Sequence, residues 1–319
     1  MERDRLELLA KVASLYYLDN QSQEQIAVQL GYSRSMISRL LSEAREQRVV
    51  EIRVHYPLER CSDLERELAD LLGLERVQVL ARRSLPYEQM LRRLGEMAAR
   101  TVEGLVAEGM TVGISWGTAL REMTNNLNPR GYTSIHVLQI IGALDTRDPD
   151  IDGPNLARSL AQVFGGTFST LPAPLIVENE RLSEALMRDR SLRRTLDQAE
   201  KLDMAVMGIG TVYPRRSSLL RAGYLEPDDL DDLTRAGAVG DVCAIHFNAQ
   251  GQVLDVPLHR RRIGIAPETL RRIPIKMGIA GGEAKGLSIL GAARSGLVNH
   301  LITDESAALR ALQYLKGDD

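Results

Sequence analysis

The chain has 319 residues, enough for about two domains and a sizeable core. Hydrophobic residues make up 44% and charged residues 26%, a globular balance that excludes a disordered chain, a collagen and a coiled-coil rod. A formal net charge of −3, from 40 basic and 43 acidic residues, excludes a generally basic nucleic-acid coat but not a small DNA-reading module on a larger acidic body.

Two cysteines, Cys61 and Cys243, supply neither a disulfide framework nor a CxxC metal pair, so reduced thiols and a cytoplasmic location are expected. No apolar run approaches the roughly 20 residues that cross a bilayer, and the start MERDRLELLAKV is charged from its second residue. No membrane association, no cofactor and no metal are expected. Basic residues are mostly arginine; the lysines are Lys11, Lys201, Lys276, Lys285 and Lys316. Arginine suits bidentate phosphate contacts, although a GC-rich genome is the plainer explanation of such a bias.

Leu6, Leu9, Val12, Ala13 and Tyr16 recur at helical spacing and predict a first amphipathic helix ending near Leu18. Ser22-Gln23-Glu24-Gln25 is a capping-box pattern. It opens a short second helix with Ile26, Ala27 and Leu30 inward. Gly31 stands where a left-handed helix stop needs glycine. Ser33 is positioned to cap a third helix through Met36, Ile37, Leu40 and Leu41. Two helices around a glycine turn form the helix-turn-helix pattern, and the small–Gly–aliphatic rhythm Ala27, Gly31, Ile37 agrees with it.

The third helix would present Arg34, Ser35, Ser38 and Arg39 to base edges, with Ser22, Gln23 and Tyr32 toward the phosphate backbone and Ser33, its cap, also a DNA-binding candidate. The plainer alternative is a solvated face on an ordinary three-helix domain. Residues 1–55 hold eight basic and eight acidic side chains, yet residues 31–42 hold Arg34 and Arg39 with no acid. One such module should bind DNA modestly, so specific binding needs two or more copies. Residues 49–55 alternate as a strand, a candidate wing. Residues 61–72 predict a helix that links, contacts a second copy, or covers the next domain.

From Gly73 short aliphatic runs (77–80, 111–114, 135–140, 204–209, 242–247) alternate with helical patterns (87–106, 118–126, 155–164, 180–199). This predicts an α/β domain around a mainly parallel sheet, with ligands beyond the carboxyl ends of the strands. Three glycine-rich turns follow predicted strands. The first is Gly113-Ile114-Ser115-Trp116-Gly117-Thr118, entering a helix whose free amides attract anions. Trp116 is the single tryptophan, a core residue or a sugar platform. The second turn is Gly208-Ile209-Gly210-Thr211, and the third is GIAGGEAK with Gly282, Glu283 and Lys285. Tight turns also use glycine for geometry alone, but three of them suggest a phosphorylated ligand, and no Walker A sequence is present.

These pieces, with SQEQIAVQLGYSRSMISRLLSEAREQRVVEIRV, VGISWGTAL, Leu171-Pro-Ala-Pro174, MGIGT, Arg221-Ala-Gly-Tyr224, Gly240-Asp241-Val242 and GLVNHLITD, span nearly the whole chain. Together they resemble the SorC family of bacterial transcriptional regulators, which includes regulators of sorbitol, deoxyribonucleoside and central glycolytic operons. The resemblance implies a winged helix-turn-helix over residues 1–56 and a sugar-phosphate-binding and oligomerisation domain over 57–319, similar in fold to sugar-phosphate isomerases. It implies double-stranded operator DNA and a phosphorylated sugar effector as partners, and a homo-oligomer, expected to be a tetramer. It places Ser115, Gly117, Thr118 and Lys285 at the effector's phosphate, and Gln139, Gly142, Asn155, Gly208, Asp241 and Glu283 on the sugar side. Asp241 and Asn155 also read as turn or helix-cap residues.

The chain departs from the family pattern at Phe247-Asn248, at Ala284 and in the basic segment Thr211-Val212-Tyr213-Pro214-Arg215-Arg216. No lysine lies between Lys11 and Lys201, so the mid-domain Schiff base of the deoxyribose-phosphate regulator type is not expected and binding should be reversible. The rival reading is a sugar-phosphate enzyme with a regulatory DNA-binding module, its acid–base candidates Glu283, Asp241 and His246. A third is a scaffold whose pocket has decayed, against which Ser115, Thr118 and Lys285 stand. The leading expectation is a regulator with no catalytic residue.

Overall fold

A computed structural model describes residues 2–50, 57–81, 85–128, 134–143 and 149–317. The chain forms two compact units, Met1–Pro57 and Leu58–Asp319.

The first unit holds α1 (Glu2–Tyr17), α2 (Gln23–Leu30) and α3 (Arg34–Glu46). Ser22 caps α2 in a reciprocal box with Gln25, and Gly31 ends it at φ 71°. Ser33 caps α3. Leu9, Val12, Ile26, Ile37 and Leu40 make a common core. Leu6, expected in that stripe, is exposed. The edge of the α1–α3 contact is closed instead by Arg5, whose Nε donates to Glu43 at 3.0 Å. The expected wing falls mainly on residues 51–56, outside the described residues; Val49 and Val50 form a bend packed on this core.

The second unit begins with α4 (Ser62–Leu72), β1 (Arg76–Leu80), α5 (Tyr87–Leu105), β2 (Thr111–Ile114), α6 (Thr118–Asn126) and β3 (His136–Gln139). Then come α7 (Gly153–Val163), β4 (Thr167–Ser169), α8 (Glu180–Arg188), α9 (Arg190–Gln198) and β5 (Met204–Gly208). After them follow α10 (Ser218–Arg221), α11 (Pro227–Arg235), β6 (Gly240–Val242), β7 (Ile245–Phe247), α12 (Pro257–Arg260) and α13 (Pro267–Arg272). The unit closes with β8 (Ile275–Ile279), α14 (Gly286–Arg294), β9 (His300–Asp304) and α15 (Glu305–Lys316).

Seven strands form one sheet in the order β1-β9-β8-β5-β2-β3-β4, with every pairing parallel. Strand alternation splits the core. Met204 and Val206 of β5 face a cluster with α5, α6 and α7, while Ala205 and Met207 face one with α4, α14 and α15. The result is a three-layer α/β domain. Helix α4 therefore covers the β1 end of the sheet: Leu68 is buried, and Glu65 accepts from Val79 N at 2.8 Å and from Arg60 Nε at 2.7 Å.

Two sequence expectations change. The helix expected over 180–199 is two, because Asp189 ends α8 in an extended conformation and caps α9 by accepting from Ser191 N. The strand expected over 242–247 is a separate antiparallel hairpin of β6 and β7. It turns at Cys243 and Ala244, both at positive φ (55° and 56°). Neither residue carries a turn signal, so tertiary bonds hold the turn: Asp241 Oδ2 accepts from Ala244 N at 3.0 Å, and Arg262 Nη1 donates to Cys243 O at 3.3 Å.

From β2 the chain moves outward to β3 and β4, then returns to β5 on the other side of β2 and continues to β8 and β9. The order reverses at β2 and β5. In such sheets the crevice beyond the strand ends at the reversal collects ligands.

Candidate ligand cleft and nucleic-acid interface

A cleft opens at that reversal, with about 710 Å³ of empty space including its mouth. Eight sequence candidates line it: Ser115, Trp116, Gly117, Thr118, Gly208, Ile209, Asp241 and Lys285.

The β2–α6 turn forms one wall. Ser115 is buried, and its Oγ accepts from Gly208 N at 3.4 Å, tying the β2 and β5 ends together. Gly117 has φ 125°, a value side-chain-bearing residues rarely adopt, and its N donates to Ile151 O at 3.0 Å. As the N-cap of α6 it has no side chain to satisfy the first-turn amides. Thr118 and Ala119 therefore bring uncapped helix-start amides to the cleft, which favours an anion. Trp116 is partly buried against both sheet-face cores while also lining the cleft, so both of its sequence readings have a physical basis.

Opposed charges form the other wall. Lys285 Nζ donates to Ile209 O at 2.6 Å. Burial pushes its ammonium down to about 8; Asp241 opposes the shift, and Arg221 and Arg216 add to it by repulsion. Burial raises the Asp241 carboxyl, against the pull of Lys285 and the bond from Ala244. The β6–β7 hairpin delivers Asp241 here, and Gly210 makes room for it: a Cβ on Gly210 would stand 1.8 Å from Asp241 Oδ1. Below the cleft, buried Asp304 accepts from Gly282 N at 2.6 Å and caps α15, anchoring the GGEAK turn.

The remaining six candidates lie outside the lining. Gly113 is packed inside β2, where a Cβ would meet Ile140 and Leu202 at 2.8 Å. Gln139 is fully buried, its amide donating to Ile141 O at 2.7 Å and accepting from Leu171 N at 3.0 Å. Both polar ends are thus used inside the fold. Gly142 lies against Pro174, whose O would be 2.5 Å from a Cβ. Asn155 sits in the first turn of α7, whose cap is Asp152. Gly282 and Glu283 line an adjoining depression that shares Tyr87, Arg216, Gly281 and Lys285 with the cleft.

Sequence reasoning did not nominate Tyr87, Gly210, Arg216, Arg221 or Cys243, all of which line the cleft. Arg216 lies over the Tyr87 ring at 4.2 Å, a cation–π contact. Its basic segment and the Arg221-Ala-Gly-Tyr224 motif were visible signals; Tyr87 and Cys243 arrive by tertiary placement alone. The Cys243 thiol is pushed up to about 12 by burial, so it is no nucleophile at neutral pH.

The acid–base candidates of the enzyme reading do not converge. Asp241 is in the cleft, and Glu283 is exposed in the adjoining depression. His246 is buried against His259, whose Nε2 accepts from His246 N at 2.9 Å. Among the described residues no group of three or more His, Cys, Asp or Glu is placed to hold a metal ion, and no helix is long and apolar enough to cross a membrane.

In the first unit Tyr32, Arg34, Ser35, Ser38 and Arg39 are exposed around the start and outer face of α3. Ser22 and Ser33 are engaged as caps, accepting from Gln25 N at 3.3 Å and Met36 N at 3.2 Å. Gln23 opens α2. The acid-free window of the sequence is not acid-free in space, because Glu24 of α2 ion-pairs with Arg34 at 3.3 Å.

Known proteins agree with this architecture. The family model described as "Putative sugar-binding domain" matches residues 56–313. The chain is 34% identical to the transcriptional regulator LsrR of Enterobacter sp., over 98% of this chain and 94% of that protein. It is 31% identical to the deoxyribonucleoside regulator of Bacillus subtilis, over 98% and 99%. The crystal structure of the full-length sorbitol operon regulator SorC from Klebsiella pneumoniae superposes with a TM-score of 0.74 at 29% identity, covering 97% of this chain and 99% of that one. Fold, two-unit organisation and sequence therefore lead to one assignment: the chain belongs to the SorC family of sugar-binding transcriptional regulators.

Proposed function

We propose that this chain is a cytoplasmic DNA-binding transcriptional regulator whose affinity for operator DNA is set by a phosphorylated sugar held in the cleft. Residues 1–56 read DNA, and residues 57–319 bind the effector and assemble the copies into a tetramer. The observation that carries the effector class is the pairing of the uncapped α6 start with the Lys285 ammonium. A phosphate dianion satisfies both, while the raised Asp241 carboxyl is placed to bond a sugar hydroxyl. The names of the relatives, regulators of sorbitol and deoxyribonucleoside operons, support a carbohydrate body for that ligand. The unassembled acid–base set favours sensing over turnover.

Control of DNA requires the ligand to prefer one of two states, and the shift cannot exceed that preference. The test is calorimetric titration with pentose and hexose monophosphates and the same sugars unphosphorylated, followed by duplex-DNA binding with and without the ligand that binds. Binding that needs the phosphate and changes DNA affinity is expected. Equal binding of an unphosphorylated sugar refutes the anion site, and sugar-phosphate turnover lost in Glu283→Gln would favour the enzyme.

A further inference from the structure

The DNA-reading unit has little positive charge to spare. Residues 1–55 balance eight basic against eight acidic side chains, Arg34 is paired with Glu24, and Arg5 with Glu43. Affinity for duplex DNA rests on neutralised phosphates, whatever sequence is read. A second positive surface is therefore expected elsewhere in a chain that binds DNA.

The ligand-binding unit carries one. At α9 a shallow groove is lined by Arg188, Arg190, Arg193, Arg194 and Lys201, against Asp197 and Glu200. Glu200 already faces Arg272 at 3.8 Å, and Arg188 faces Glu184 at 3.2 Å. No ion pair joins Arg190, Arg193 or Arg194 to a carboxylate among the described residues, and all three are exposed. The opposite side of α9 is anchored: Leu192 and Thr195 are buried, and Thr195 Oγ1 donates to Thr170 O at 3.3 Å. The guanidinium row is thus presented on a fixed helix. The three guanidiniums without an ion pair repel one another, and a row of phosphates relieves that repulsion. Arginine's planar fork also suits phosphate oxygens bidentately.

We infer that the α9 groove is a second DNA contact, which takes the phosphate backbone of the duplex without reading its sequence. This rests on the DNA-binding reading above. Its partner is the sugar-phosphate chain of double-stranded DNA, not the acidic α11 face (Asp228, Asp231) of another copy.

The experiment uses the full chain and a mixed-sequence 60-base-pair duplex, with binding followed by fluorescence anisotropy from 50 to 200 mM salt. Each lost phosphate contact lowers the slope of log K against log salt by about 0.9. Arg190→Gln/Arg193→Gln/Arg194→Gln should flatten the slope by about 2 to 3 units for each copy whose α9 groove touches the duplex. The matching triple lysine variant, which keeps the charge, should retain it and controls for folding. Sedimentation should show the same assembly in all three proteins. Duplex binding with an unchanged slope in the glutamine variant overturns the inference and leaves the DNA-binding reading intact. A smaller assembly that accounts for the lost slope also overturns it, assigning the groove to contact between copies. Absence of duplex binding by the wild type overturns both.

Discussion

Replacing Lys285 with methionine removes the cleft's amine while keeping most of the side chain's length. The Nζ spends one proton on Ile209 O at 2.6 Å, leaving two donors for a ligand. A charge-assisted bond of this kind contributes about 1.5–3 kcal/mol, so the sugar-phosphate dissociation constant should rise about ten- to a hundredfold. A pH arm separates charge from shape. The ammonium is pushed down to about 8, so roughly nine-tenths of it is protonated at pH 7 and about a tenth at pH 9. The charged form is lost as pH rises, so wild-type affinity should fall by about tenfold between pH 7 and 9, while Lys285→Met stays flat. The effect on the fold is mixed, because the Ile209 O bond and the attraction to buried Asp241 are lost. The amine's folded-state value lies below its ordinary one, so holding it charged opposes folding at neutral pH, and the substitution also removes its repulsion with Arg216 and Arg221. Titration calorimetry at both pH values, beside thermal melts, measures all of this. Affinity within twofold of wild type at pH 7 would remove Lys285 from the phosphate site and with it the main support for the effector class.

Four other outcomes follow from the same geometry. Arg34→Ala and Arg39→Ala should each weaken operator binding and leave effector titrations unchanged; the exposed Arg34–Glu24 pair contributes at most about 1 kcal/mol, so a large drop in melting temperature would point to misfolding. Gly210→Ala drives a methyl into Asp241, so effector affinity should fall more than in Lys285→Met; an unperturbed titration would show that Asp241 is not needed in place. Gln139→Ala should cost about 2–4 kcal/mol in denaturant unfolding, because two buried bonds are lost and a cavity opens, with little change in the affinity of the folded protein. His246 and His259 are held down to about 4 and about 3, mainly by burial, so the unfolded chain binds their protons first on acidification. Stability should therefore decline as pH falls from about 6.5 toward 4, by up to about 1.4 kcal/mol per pH unit for each histidine, a slope that His259→Gln should reduce in acid-denaturation curves.

The local rules written into the chain settle a great deal. The capping box at Ser22, the stop at Gly31 and the cap at Ser33 act over four residues or fewer, so the helix-turn-helix is readable without any partner segment. The β2–α6 turn is equally local: Gly117 must be glycine at φ 125°, and an anion-seeking helix start follows at once. The GGEAK turn singled out Lys285 locally, whereas Asp241 was singled out only by the family resemblance.

Tertiary structure decided what those residues face. Gln139 ends β3 and Gly142 follows it, as a site residue would, but the neighbouring Leu171–Leu175 segment consumes their surfaces from inside the fold. Only the β6–β7 hairpin, held at strained Cys243 and Ala244 by Asp241 and Arg262, swings a carboxylate beside an amine 44 residues later in the chain. Glu24 reaches Arg34 across the turn, which no window of acid-free sequence reveals. Length, composition and periodicity act along the chain and so determined two units, most of their elements and the turns that seek an anion. Charge and hydrogen bonding act through space. Which of those turns share one cleft, and which basic residues stay unneutralised, is therefore decided only by the sheet order that reverses at β2 and β5.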